Sequence, residues 1–185
     1  FNRNESVGAA FVEQPRDQRM AINPPKPRMS ALICDDNRNM RAILRTMLME
    51  MGFGRIDEAI DGSEALSMLA PEIHDMVITD LRMEPMDGLE LTRQIRRRSD
   101  DRFRHLPVLM VTGHADRFTI VQARDAGVTD ILAKPLTVKR LQERLQDIIS
   151  RPRPFVIAGS FVGPCRRRRK SEDYTGPKRR YADGD

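Results

Sequence analysis

Tryptophan is absent from this chain of 185 residues, and cysteine occurs only twice. Cys34 falls in an apolar run and Cys165 in a basic tail, with no metal-ligand neighbours, which excludes a disulfide framework and a zinc–thiolate site. A reduced, cytoplasmic setting fits that usage. No apolar stretch approaches the roughly 18 residues of a membrane span. The N-terminus lacks the short apolar core and small-residue cleavage site of a secretory leader. It opens on Phe1 rather than Met, as a fragment or a chain carrying added residues would.

Positive charge is also scarce where the chain is best patterned. Residues 30–150 carry 17 Lys/Arg against 20 Asp/Glu, a net of −3, although the whole chain carries +5. Residues 1–29 add a net of +2 and residues 151–185 a net of +6, so the basic character belongs to the ends. The middle segment is therefore not read as a nucleic-acid binder.

What is present between Ser30 and Ser150 is an alternation of short apolar runs with helical periods, the sign of βα units and a parallel sheet. The runs are Ala31–Cys34, Ile56–Ile60, Met76–Thr79, Val108–Val111 and Val128–Leu132. Between the first two, Met40, Ile43, Leu44, Met47, Leu48 and Met51 recur at helical spacing, and Gly52 supplies the stop. Ser63, Asp87 with Glu90, and Thr137 start further helices, and another runs from about Arg117 to Ala126 before Gly127. Five such units predict a doubly wound α/β domain over residues 30–150. Residues 1–29 are polar, carry four prolines and read as disordered.

In an open parallel sheet, residues at the C-terminal ends of the strands converge on one crevice. Asp35 and Asp36, Asp80, Thr112 and Lys134-Pro135 all stand at such ends. Phosphoryl transfer needs a nucleophile, a metal to neutralise developing charge and fixed donors to the equatorial oxygens. Asp80 would be the nucleophile, as carboxylates are in aspartyl-phosphate chemistry. Three carboxylates together repel one another unless a divalent ion relieves them. An all-oxygen set points to Mg²⁺ or Mn²⁺ rather than zinc. Lys134 is a compact charge suited to a phosphoryl oxygen, and the Thr112 hydroxyl can donate to another.

Asp35-Asp36, the segment Asp80-Leu-Arg-Met-Glu-Pro-Met-Asp-Gly88, Thr112-Gly113 and Lys134-Pro135, in that order, resemble the receiver domain of two-component response regulators over roughly Met29 to Arg151. The resemblance implies a CheY-like, flavodoxin-like (βα)5 fold with strand order 2-1-3-4-5. It implies phosphotransfer to Asp80 from a histidine kinase or a histidine phosphotransfer protein, the only catalysis being on the chain itself. Mg²⁺ is implied to be held mainly by Asp36 and Asp80, with Asp35 acting through a metal-bound water and the Arg82 backbone carbonyl as a further ligand. Output is implied at the surface of the fourth helix, fifth strand and fifth helix. Two positions depart from the pattern. Ile131 stands where receivers commonly place an aromatic residue, and Met83-Glu84-Pro85 separates the methionine and proline that usually adjoin.

Other readings stay open. Asp35-Asp36 also suits a helix cap, Asp87-Gly88 a helix start, and His74, His105 and His114 read as loop residues, His114 close enough to Thr112 to affect dephosphorylation. The segment 151–185 holds a repeat offset by 13 residues: Phe161-Val162-Gly163-Pro164-Cys165-Arg166-Arg167 and Tyr174-Thr175-Gly176-Pro177-Lys178-Arg179-Arg180. It reads as a duplicated docking peptide, anchored by Phe155, Phe161 and Tyr174 on a partner or back on the domain, or else as a solvated charge run. A third reading is nucleic-acid contact through Arg166 to Lys170. The functional expectation is a single-domain phosphorylatable switch acting on a partner protein. Its rivals are a phosphorelay intermediate or phosphate sink, mildly favoured by Ile131, and a tail-mediated regulator associated with nucleic acid.

Overall fold

The computed structural model describes residues 28–165 apart from 72, 73 and 160. Expectations for residues 1–27 and for the second tail repeat lie outside the described residues. In chain order the elements are β1 (Ser30–Cys34), α1 (Arg38–Glu50), β2 (Arg55–Ala59), α2 (Gly62–Leu69), β3 (Met76–Asp80) and α3 (Gly88–Arg97). They continue with α4 (Asp101–Arg104), β4 (Val108–Thr112), α5 (Arg117–Ala126), β5 (Asp130–Ala133), α6 (Val138–Ser150), β6 (Phe155–Ala158) and β7 (Phe161–Pro164). Strands β1 to β5 pair in parallel in the order β2-β1-β3-β4-β5, the doubly wound arrangement expected from the alternation. The one-turn α4 has too few residues to show a period, so the expected fourth and fifth helices are α5 and α6.

Neighbouring strand residues point to opposite faces, which divides the core. Ala31 and Ile33 of β1 join Leu44 and Leu48 of α1 and Leu141 and Leu145 of α6. Leu32 and Cys34 face the other way, toward Ala65 and Leu69 of α2 and Leu91 and Ile95 of α3. Met110, Leu81 and Leu89 pack with Ala123 and Ala126 of α5. Both faces of the inner strands are covered, which is why β3 and β4 read as nearly continuous apolar runs, whereas the edge strand β2 carries Asp57 and Glu58.

Three local expectations need correcting. Val128 gives its N–H to the Ala123 carbonyl and so still closes α5, moving β5 to Asp130–Ala133. Asp61, not Ser63, caps α2, its carboxylate accepting from the N–H groups of Ser63 and Glu64. Ile43, on the expected apolar face of α1, is 45% exposed, because Leu44 and Leu48 fill the seam. Asn37 caps α1 and Asp87 caps α3, so helix capping does not occupy Asp36. His74 precedes β3 but is buried, with Nε2 2.7 Å from Asp57 Oδ2.

Beyond α6 the basic segment forms an antiparallel hairpin, β6 and β7, laid against α3 and α5. Among the described residues no helix is long and apolar enough to cross a membrane.

Candidate functional site

Asp35 and Asp36 directly follow β1, Asp80 ends β3, Thr112 ends β4, and Lys134 follows β5. Parallel strands bring these positions to one edge. The Lys134 ammonium links two of the carboxylates, its Nζ lying 2.6 Å from Asp80 Oδ1 and 3.4 Å from Asp35 Oδ2. The remaining oxygens accept backbone donors: Asp80 Oδ2 from the Arg82 N–H at 2.7 Å, Asp35 Oδ1 from the Asn37 N–H at 2.8 Å.

Burial, reinforced by the nearby Asp80 charge, raises the pKa of Asp35 despite the donors from Asn37 and Lys134. Burial works against the Lys134 ammonium, but its bond to Asp80 and the charges of Asp80 and Asp35 outweigh it and hold its pKa above the ordinary value. Two buried carboxylates thus face one half-buried ammonium, and the pocket keeps a negative excess that a cation would neutralise.

Asp36 is exposed, and among the described residues no three Asp, Glu, His or Cys side chains gather into a ligand cluster. The expected trio of carboxylates is here a pair closed by Lys134, with Asp36 exposed to solvent. Mg²⁺ keeps several waters and needs only one or two carboxylates, so this donor set still suits it. The Thr112 hydroxyl is engaged within its own turn, 3.2 Å from the His114 carbonyl and 3.1 Å from the His114 nitrogen. Ile131 is partly buried against the α5 cluster.

Two supports of the site escaped the sequence reading. Arg41 of α1 donates from Nη1 to the Asp35 carbonyl at 2.7 Å and to the Asp36 carbonyl at 3.4 Å, while its Nε lies 3.2 Å from Glu58 Oε2. A cation in the first turn opposes the helix dipole, and that mismatch was the available signal. Gly88 opens α3 against β3: a Cβ there would fall on the Asp80 carbonyl. That carbonyl also accepts the Thr79 hydroxyl at 2.9 Å. Cys34 is buried, its sulfur 3.5 Å from Met83 Sδ, and burial pushes its thiol up to about 12, which disfavours the thiolate.

A parallel sheet of this order, with paired carboxylates and a lysine at its C-terminal edge, defines a class of α/β signalling domains. The chain matches the profile of the response regulator receiver domain over residues 31–146 and belongs to that family. The chemotaxis protein CheY of Pseudomonas aeruginosa is 42% identical over 123 residues, covering 66% of this chain and 98% of that protein. Among solved structures, the chemotaxis response regulator CheY4 of Vibrio cholerae superposes with a TM-score of 0.61 at 26% identity, covering 65% of this chain and 98% of that one. The receiver domain of a sensor histidine kinase from Pseudomonas aeruginosa has a TM-score of 0.61 at 28% identity, covering 66% of this chain and 98% of its own. Its structure holds a magnesium ion in the active-site cleft. The chain thus carries a receiver domain of the CheY-like type, a signalling component of two-component systems.

Proposed function

We propose that the chain is a response regulator switched by phosphorylation of Asp80, the phosphoryl group arriving from a histidine kinase or a histidine phosphotransfer protein. The observation that carries this reading is the Lys134 ammonium, held between Asp80 and Asp35 at the C-terminal edge of the sheet. An Asp80 oxygen attacks the phosphorus of a phosphohistidine; the P–N bond breaks, and the histidine nitrogen leaves with its electron pair. Lys134, already beside Asp80, turns to a phosphoryl oxygen. The Thr112 hydroxyl exchanges its His114 carbonyl for another phosphoryl oxygen, a contact available only in the phosphorylated state.

Asp36 and Asp80, with the Arg82 carbonyl, would hold Mg²⁺ (or Mn²⁺), and Asp35 would act through a bound water. When present, the metal offsets the charge developing on the transferred group. Arg41 fixes the backbone of the Asp35-Asp36 pair, and Gly88 lets α3 close on Asp80. The proposed output surface is α5, β5 and α6, where Phe118, Ile120 and Val138 are exposed apolar side chains suited to a partner protein. A reducing, aqueous compartment suits a thiol such as Cys34.

Ile131 favours a second reading, a relay intermediate or phosphate sink, because an aliphatic side chain cannot swing inward as a ring does. Phosphotransfer from a labelled phosphohistidine donor, compared between the wild type and Asp80→Asn, tests both readings. Label confined to the wild type and persisting while a partner is captured supports the switch. Label lost before any capture supports the sink, and label retained by Asp80→Asn overturns the assignment.

A further inference from the structure

The first copy of the tail repeat, Phe161-Val162-Gly163-Pro164, is strand β7, and the domain provides a built seat for it at the N-terminal ends of β4 and β5. Arg96 of α3 organises that seat. Its guanidinium is buried and donates to three backbone carbonyls: Gly127 at 3.0 Å, Leu106 at 2.7 Å and Arg104 at 3.1 Å. It also lies over the Phe155 ring, 5.1 Å from the centroid, and His105 meets the same ring edge-on at 4.8 Å. Phe155 pairs across the hairpin with Pro164.

The repeat itself is read by close approach. A Cβ on Gly163 would lie 2.8 Å from Gly127 Cα, and one on Gly127 would lie 2.5 Å from the Val162 carbonyl. The Phe161 ring folds over Gly163, and both Gly163 and Pro164 are buried. The positions used are those the second copy keeps: Tyr174 for Phe161, Gly176 for Gly163 and Pro177 for Pro164. Between them Thr175 replaces Val162 with the same branched shape. Lys178 replaces Cys165, which is only partly covered.

We propose that Tyr174-Thr175-Gly176-Pro177 is a second occupant of this seat, so that the two copies exchange within one chain. Two residues separate β6 from Phe161, whereas fifteen separate Ala158 from Tyr174. Loop-closure entropy then favours the first copy, in keeping with the register seen.

Because the chain has no tryptophan, Tyr174→Trp in the full chain gives a single reporter, and Phe161→Trp gives the seated reference spectrum. With the first copy intact, indole emission from the Tyr174→Trp chain is expected near the solvent value. Adding Gly163→Val, or in a separate variant Phe161→Ala, moves it toward the seated reference, and adding Gly176→Val as well moves it back. Circular dichroism confirms that each variant keeps its helices, and the two ways of disabling the first copy guard against one local misfold. No shift with either variant, or a shift that survives Gly176→Val, overturns the proposal. A shift that grows with protein concentration also overturns it, since the occupant would then come from a second molecule.

Discussion

Asp35 is buried beside Asp80 with one ammonium between them, and the raised pKa records what that burial costs the charged form. Replacing it by Asn removes a carboxylate but leaves Lys134 its shorter bond, to Asp80. Without divalent cations, Asp35→Asn is therefore expected to stabilise the fold by about 1 kcal/mol in urea denaturation, a typical single-substitution effect. With Mg²⁺ added, the wild type gains more than the variant, and equal gains would remove Asp35 from the metal site. At this scale the sequence was legible where order and residue type coincide, as at Asp35, Asp80, Thr112 and Lys134. At Arg41 only the mismatch of a cation in the first turn of α1 was legible, because its partners are backbone carbonyls and a glutamate on β2, which no periodicity announces.

Two elements are positioned by contacts that substitution can probe. The N-terminus of α3 comes against β3 only because Gly88 lacks a Cβ, so Gly88→Ala displaces the Asp80 carbonyl or the helix. A loss of about 1–3 kcal/mol is expected, the usual cost of overpacking, together with slower phosphotransfer. Unchanged stability would mean that α3 can retreat freely. On β2, Asp57 meets His74 at 2.7 Å and Arg55 at 2.5 Å; burial raises its pKa, but these partners outweigh it and leave the carboxylate below its ordinary value. A depressed pKa gives stability above the unfolded value of 3.8 that is lost as pH falls through the folded one. Asp57→Asn should therefore be less stable near neutrality by up to about 1 kcal/mol, since the pair is partly exposed. The difference from wild type should close below about pH 4 in denaturation curves taken across pH. The inner strands β3 and β4 were legible as apolar runs because both of their faces are buried. The start of β5 was not, because Val128 is apolar yet bonded into the turn of α5, and α4 was too short to show a period.

Over the whole molecule, the family match ends at residue 146, and relatives of almost full length cover only 66% of this chain. What lies beyond is basic and, as far as it is described, closes back on α3 and α5 as a hairpin. Composition marked the change of segment at Arg151 but not its strands, because Phe155 to Pro164 is held by long-range contacts with Arg96, His105 and Gly127 rather than by its own pattern. At the other end of the sheet, Asp80 is expected to take a phosphoryl group. The direct measurement is intact-mass spectrometry of the chain after incubation with Mg²⁺ and a small-molecule phosphodonor, for the wild type, Asp80→Asn and Lys134→Ala. Phosphorylation at Asp80 predicts one added phosphoryl mass on the wild type, sharply less on Lys134→Ala and none on Asp80→Asn. A phosphoryl adduct on Asp80→Asn equal to that on the wild type would contradict it.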